Sequence, residues 1–396
     1  MGIVMDCYAA VMTGKGTGAI STIQVFGDSA EDIIKKIFEP IGKKQAEFET
    51  GKILLGTIHN GERKIDQVTI GCEQPRTFSI NCHGNPLIVE MVMKVLRQND
   101  IQILTAEQLQ TKILAEQKTG NTIALEAKLA QSKAKTLKGT KIILNQIEAG
   151  LSKTAKGWLR NLDDIYPDKI TAEAKHILQK SRTATLIIYG CKVVLTGPPN
   201  SGKSSLLNCL AGRQKSIVTD ISGTTRDWVT AECRIDPLSL ELTDTAGLDE
   251  NFKDAPDNIE KASWKKALET IEQADLILMV IDNGQNNDLY NQLIERIADK
   301  KIVAVLNKSD LPEQFDTNKL PDFVSNTIKI SARTGNGIDK LTEKILQITG
   351  TAEFDPHQAV CFTDRQENLL MQLTTVKSKE QAASIITELL NGRVCV

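Results

Sequence analysis

Gly197-Pro198-Pro199-Asn200-Ser201-Gly202-Lys203-Ser204 sets a lysine and a hydroxyl behind two glycines at the spacing G-x-x-x-x-G-K-[ST]. The chemistry of that spacing is phosphate binding. The glycines let consecutive backbone N–H groups curl around an oxyanion, and the helix N-terminus that follows adds roughly half a positive charge there. Lys203 reaches the β- and γ-phosphates, which makes it a candidate catalytic residue, and the Ser204 hydroxyl is placed to ligate Mg²⁺. Asn200, Ser201, Gly202 and Ser205 complete the lining of the phosphate groups.

Further parts follow downstream in order. Asp244-Thr245-Ala246-Gly247 ends the alternating stretch Arg234–Thr243, which places Asp244 at a strand end. Carboxylates there hold Mg²⁺ through water, and Gly247 joins the nucleotide-binding set. Asn307-Lys308-Ser309-Asp310 follows the buried-strand run Lys301–Leu306. An Asp in that place accepts two hydrogen bonds from guanine N1 and N2, a donor pair that adenine lacks. Ser331 and Ala332, after Ile328–Ile330, back the base with a main-chain N–H. Between loop and carboxylate lies Gly223-Thr224-Thr225-Arg226-Asp227, a switch segment in which Thr224 meets the nucleotide and Thr225 completes the Mg²⁺ shell. The parts together imply a guanine-nucleotide-binding domain that hydrolyses GTP.

Those groups need a parallel sheet with covering helices, and the chain is long enough for more than that. Its 396 residues, 41% of them apolar, leave room for roughly two or three domains. The loop is expected to follow a strand in the apolar run Thr185–Thr196, with Ser205–Leu210 opening the next helix. Tyr290–Asp299 and Ile338–Ile348 read as covering helices. Upstream, residues 1 to about 110 read as a small α+β unit, with strands in Tyr8–Met12, Ser21–Phe26, Lys52–His59 and Gln67–Cys72 and helices in Ala30–Phe38 and Pro86–Gln98. Its Thr13–Gly18 stretch reads as a glycine-rich turn. From 111 to 185 apolar residues recur at helical spacing (Ile123, Leu125, Leu129, Leu137, Ile142, Ile143, Ile147, Leu151). That pattern suits a bundle, with a continuous coiled coil as the alternative. Asp364–Leu390 resumes the helical pattern and is expected to dock on those helices, so that the nucleotide domain (186–349) is an insertion between 111–185 and 350–396.

The net charge of −2 predicts no general attraction to nucleic acid. Thr111–Thr185 alone carries 14 Lys/Arg against 7 Asp/Glu, an excess of +7. A solvated helix surface accounts for it, and an RNA-facing surface is the alternative. Eight cysteines are scattered without metal-ligand spacing, as in a reducing compartment. No apolar run approaches about 18 residues. A cytoplasmic protein with no membrane association is the expectation.

The order of an α+β unit, a helical region and an inserted G domain, with GPPNSGKSSLLN, TDISGTTRD and DTAGL, resembles the tRNA-modification GTPase MnmE (TrmE) family. Asp6–Gly27 and Asn81-Cys82-His83-Gly84-Asn85 carry a looser match in the first unit. The resemblance implies a multi-domain α/β protein: an N-terminal α+β domain for dimerisation and folate binding, a discontinuous helical domain, and an inserted P-loop (Ras-like) G domain. It implies GTP with Mg²⁺ and K⁺, the potassium held by Asn200 and by Thr219 and Ile221 of the Thr219–Thr225 loop, doing the work of an arginine finger. Leu248 stands where Ras-like enzymes carry the water-positioning Gln. Aligning Asp257-Asn258-Ile259-Glu260-Lys261 with the family's acidic stretch selects Glu260 for that catalytic role, with Glu250 as the fallback. The family works as a homodimer with an FAD-dependent partner protein on the wobble uridine of tRNA. This chain departs from the family at four places. Gln24 stands for an expected Arg, Ser79 for an expected Glu, Leu114–Ala130 lacks the family's Asn-Gly-Lys…Asp-Leu…Gln-Ala-Glu segment, and the tail Arg393-Val394-Cys395-Val396 lacks Cys-x-Gly-Lys. A folate derivative is therefore a doubtful ligand, and His83 reads as a structural turn histidine. A divergent paralogue, a GTP-driven switch or scaffold without uridine chemistry, is the alternative.

Overall fold

A computed structural model describes residues 7–14, 16–42, 46–61, 63–116, 121–212, 229–244, 269–283, 299–321 and 324–392. The chain divides into two compact units, Met1–Leu125 and Glu126–Gly392.

The first unit is a seven-stranded sheet, built from β1 (Cys7–Val11), β2 (Ile20–Gly27), β3 (Phe38–Pro40), β4 (Ile53–His59), β5 (Lys64–Gln74), β6 (Thr77–His83) and β7 (Gln102–Ile103). Their order is β3-β4-β5-β6-β2-β1-β7, antiparallel except for β1 with β7. Helices α1 (Ala30–Ile37) and α2 (Pro86–Gln98) set Ile33, Ile34, Val92 and Leu96 into one core with Ile23, Val25, Ile70 and Phe78 of the sheet. Asn85 caps α2 by accepting from Leu87 N–H at 2.9 Å, with Pro86 at the first helical position, where its missing N–H costs nothing. Helix α3 (Ala106–Glu116) runs through residue 110 and packs Leu109 on Tyr8, Ala10 and Phe26. The expected strands and both expected helices are present. The expected glycine-rich turn is the connection between β1 and β2. Three strands were not expected: β3 and β7 are only three and two residues long, and β6 was missed although Thr-Phe-Ser-Ile-Asn-Cys-His alternates polar with apolar residues, the pattern of a half-buried strand.

Helix α4 (Thr122–Gln131) runs across the boundary, and the second unit continues with α5 (Leu137–Glu148), α6 (Gly150–Arg160), α7 (Leu162–Ile165) and α8 (Asp168–Tyr189). The G domain follows: β8 (Cys191–Thr196), α9 (Lys203–Gly212), β9 (Val229–Ile235), β10 (Leu238–Asp244), β11 (Leu276–Asp282), β12 (Ile302–Asn307), β13 (Thr327–Lys329) and α10 (Ile338–Thr349). Then come α11 (Asp364–Leu373) and α12 (Lys379–Asn391), which pack on α8 and α6. The helical part is thus discontinuous and the G domain inserted. Its described sheet has the order β13-β12-β11-β8-β10-β9, parallel except for β9 with β10.

Three local expectations are corrected. Thr185–Tyr189 is the end of α8 rather than strand, because Ile187 and Ile188 are buried on α5 while Thr136 Oγ1 and Lys135 N–H bond their carbonyls at 2.7 Å. Gly190, at φ 92°, then turns the chain into β8. Arg234–Thr243 is two strands rather than one, turned at Asp236–Pro237. Leu137 is no core residue but 84% exposed at the start of α5. The helical pattern expected over Asp364–Leu390 is present as two helices, the second capped by Ser378.

The joint between the two helical segments is polar and buried. Gln146 of α5 donates to Gln358 O at 3.0 Å and accepts from Val360 N–H at 3.1 Å and Leu151 N–H at 2.8 Å. Glu126 takes Arg365 at 2.7 and 2.8 Å, Gln366 at 2.6 Å and Thr363 at 3.1 Å.

Candidate functional site

The phosphate loop runs from the end of β8 to the start of α9. Its backbone leaves no room for side chains at two places. A Cβ on Gly197 (φ 138°) would run into Val280 O, and one on Gly202 (φ 93°) into the amide of Asn307. Glycine meets both demands at little cost. Lys203, nearly buried, donates from Nζ to Gly197 O and Pro198 O, each at 3.0 Å. Asn200 adopts the left-handed conformation (φ 60°), is exposed, and its side chain makes no hydrogen bond among the described residues. The Ser201 hydroxyl is buried without a hydrogen-bond partner.

β10 brings Asp244 beside this loop. The parallel register pairs Asp244 with Leu195 of β8, so the carboxylate ends its strand next to the turn. Ser204 Oγ donates to Asp244 Oδ2 at 2.6 Å, and Asp244 is 1% exposed. Its second oxygen, Oδ1, is buried with no hydrogen-bond partner. A buried anionic oxygen without a donor is expensive. Hard oxygens of a carboxylate and a hydroxyl held together are the donor set that suits Mg²⁺.

The base corner lies at the ends of β11 and β12. Asn307 is buried and ties two segments together: its amide donates to Ser201 O at 2.9 Å, and its Oδ1 accepts from Ala332 N–H at 2.9 Å. Lys308, in the left-handed region (φ 62°), pairs through Nζ with Asp282 Oδ2 at 2.8 Å. Asp310 is exposed. The Ser331 hydroxyl bonds to its carboxylate and holds it below the usual carboxylate range, helped by the backbone and by Arg333 and Lys308. An acceptor that stays ionised is what a guanine N1–H and N2–H pair requires. Ser331 N–H bonds Asn336 O at 2.9 Å, so the main-chain N–H groups of both Ser331 and Ala332 are engaged within the protein.

The structure therefore brings together Asn200, Ser201, Gly202, Lys203, Ser204 and Asp244 at one corner, and Asn307, Lys308, Asp310, Ser331 and Ala332 at the other. Ser205 lies on the first turn of α9, exposed. Thr219, Ile221, Thr224, Thr225, Gly247, Leu248, Glu250, Glu260 and Cys395 lie outside the described residues, as does the expected helix Tyr290–Asp299 except for its last residue. Asp282 and Asn283 were missed by sequence reasoning. The signal was there: the apolar run Leu276–Ile281 stops at Asp-Asn, as Ile302–Leu306 stops at Asn-Lys. In the first unit, Gln24 donates to Glu73 at 2.8 Å and pairs across strands with Ser79. His83 is held by Asp66 through its ring Nδ1 at 2.7 Å and its N–H at 2.8 Å. Burial pushes the Cys7 and Cys361 thiols up to about 11 and Cys191 up to about 12, which leaves them protonated packing groups.

A phosphate loop, a strand-end carboxylate and an Asn-Lys-x-Asp corner on a parallel sheet define a P-loop GTPase. Residues 192–308 match the family model described as a 50S ribosome-binding GTPase, and residues 7–108 match that of the GTP-binding protein TrmE N-terminus. The tRNA modification GTPase MnmE of Clostridioides difficile is 30% identical over 376 residues, covering 86% of this chain and 81% of the relative. That of Lacticaseibacillus paracasei is 31% identical over 405 residues, covering 93% and 86%. The chain belongs to the MnmE family and is a GTP-hydrolysing enzyme. Among solved structures, the G domain of the T. maritima FeoB iron transporter aligns with 26% identity over 40% of this chain and 98% of its own, at a TM-score of 0.32.

Proposed function

We propose that the chain hydrolyses GTP in a potassium-activated reaction and, as a homodimer with an FAD-dependent partner, serves modification of the wobble uridine of tRNA. The observation that supports the GTP chemistry best is the orphaned, buried Asp244 Oδ1 beside the Ser204 hydroxyl. Those two residues, with Thr225, would hold Mg²⁺; Asn200, Thr219 and Ile221 would hold K⁺. When bound, the two cations stabilise negative charge that develops on the transferring phosphoryl group. Lys203 leaves the carbonyls of Gly197 and Pro198 for phosphate oxygens. Asn307 keeps the loop and the base corner in register, Asp310 accepts from the base, and Glu260 orients the attacking water.

The decisive measurement is GTP turnover in KCl against NaCl, with Asn200→Ala alongside. The expected result is turnover at least about tenfold faster in KCl, a difference of about 1.4 kcal/mol in barrier, abolished by the substitution. Equal rates in both salts remove the potassium reading and leave the GTPase intact.

One observation favours a second reading, a GTP-driven switch without uridine chemistry. Gln24 is bonded to Glu73 rather than presenting a cation on the sheet, and Ser79 beside it carries no charge. Titration of 5-formyltetrahydrofolate separates the two readings: saturable binding supports the modifying enzyme, and no binding supports the switch.

A further inference from the structure

The Asn-Lys-x-Asp corner contains a lysine whose long stem is a poor recognition element unless something fixes it. A four-carbon side chain gives up rotamer freedom when it packs on a ligand. Here Lys308 is already placed. Its backbone stands at φ 62°, a region that non-glycine residues occupy at a cost and keep where the surroundings over-determine it. Those surroundings are visible. Asn283 N–H bonds Asn307 O at 2.9 Å, Ser309 N–H bonds Ile330 O at 2.9 Å, and Leu311 N–H bonds Lys308 O at 2.9 Å. The side chain is fixed separately, by Asp282 Oδ2 at 2.8 Å from Nζ.

Asp282 is the last residue of β11 and lies directly across the parallel ladder from Asn307. Its side chain is 3% exposed, against 33% for Lys308. This is therefore not a screened surface bridge of the kind that contributes little. The carboxylate has no water to turn to, and removing its charge releases the ammonium. We infer that Asp282 is a positioning residue, which fixes Lys308 in place and thereby sets the affinity of the base corner for the guanosine part of the nucleotide. No residue of the Asn307–Asp310 segment supplies this function. The inference rests on the assignment of Lys308 to the base corner made above.

The test is equilibrium binding of fluorescent GDP to the full chain and to Asp282→Asn, Lys308→Met and the double variant, with steady-state GTP turnover. Asp282→Asn is expected to weaken GDP about tenfold or more, as for loss of one charge of a desolvated pair, and to raise KM for GTP by the same factor with kcat within about twofold. In the Lys308→Met background the second substitution adds less than about twofold, the signature of two residues acting as one. Asp282→Glu, which keeps the charge, recovers most of the affinity. Should Asp282→Asn fail to fold, Asp282→Ser, which also removes the charge, reads the same coupling against Lys308→Met. Additive losses, or a lowered melting temperature of the nucleotide-free protein with GDP affinity unchanged, overturn the inference. Unchanged GDP affinity in Lys308→Met overturns instead the assignment of Lys308 on which it rests.

Discussion

The two sheets of this chain solve different problems. In the G domain every residue of β11 and of β12 is buried, as expected of parallel strands covered on both faces. Chemistry can then sit only where the strands end, and there the buried polar residues collect: Thr196, Asp244, Asp282, Asn283 and Asn307. In the first unit the sheet buries one face under α1 and α2, and β4 alternates between exposed and buried positions. Its other face carries Thr22, bonded to Asn81 at 2.7 Å, and Gln24, bonded to Glu73. A fully buried sheet concentrates function at its edge; a half-open sheet spreads polar groups over a face and tolerates change there.

The sharpest way to break this contrast is at the strand-end turn. Gly202→Ala introduces a Cβ against the Asn307 amide and forces an L-residue to φ 93°. The conformational cost is about 1–2 kcal/mol, and displacing the Asn307 bond to Ser201 O strands a buried donor for about 1–3 kcal/mol. The free loop escapes these costs by leaving its nucleotide-binding shape, and restoring that shape on binding lowers GDP affinity by roughly thirty- to several-thousand-fold, at 1.4 kcal/mol per factor of ten. Isothermal titration with GDP measures it. Affinity within threefold of wild type would mean that the loop adjusts freely, and that the edge is less constrained than its burial implies.

The middle of the same sheet comes next. Val280 is 0% exposed in β11, opposite Val305 of β12. Val280→Thr keeps the shape and places a hydroxyl among apolar neighbours. The expected loss is about 1–3 kcal/mol of stability, read from denaturant midpoints.

How much of this was legible follows from how contiguous each signal is. The phosphate loop and the Asn-Lys-x-Asp segment are short runs in which neighbouring residues act together, so residue type and spacing suffice to place them. Asp282 ends an apolar run as Asn307 does, which marks a strand end, but its pairing with Lys308 joins two different strands and no local pattern shows it. The Glu126–Arg365 cluster joins residues 239 positions apart, so its meaning exists only once α4 and α11 have met. Leu186–Ile188 failed as a strand because a short apolar run fits a buried helix turn equally well. The carbonyl bonds from Thr136 and Lys135 decide between the two. Leu137 failed for a related reason. At about 3.6 residues per turn it lies on the side of α5 opposite the buried Gly139, Ile143 and Gln146, where the exposed Leu144 also stands, so the apolar residue type misled and the helical phase decides.

The weakest expected effect tests the other side of the contrast. Ile53 stands on β4 at 68% exposure, paired across the ladder with Gly71 of β5, whose missing side chain leaves Ile53 little to pack against. Threonine keeps the β-branched shape that strands favour and exchanges exposed apolar surface for a hydroxyl that water satisfies. Ile53→Thr should therefore change stability by no more than about 0.5 kcal/mol, the usual range for exposed substitutions, although a branched aliphatic residue is exchanged for threonine as in Val280→Thr. The denaturant midpoint of the first unit's transition is the measurement. A loss above 1 kcal/mol would show that this face is covered in solution, and the covering surface would then be sought by comparing molecular mass for the variant and the parent chain. A change near zero leaves the two sheets as they read: one intolerant throughout its interior and functional at its rim, the other permissive across an open face.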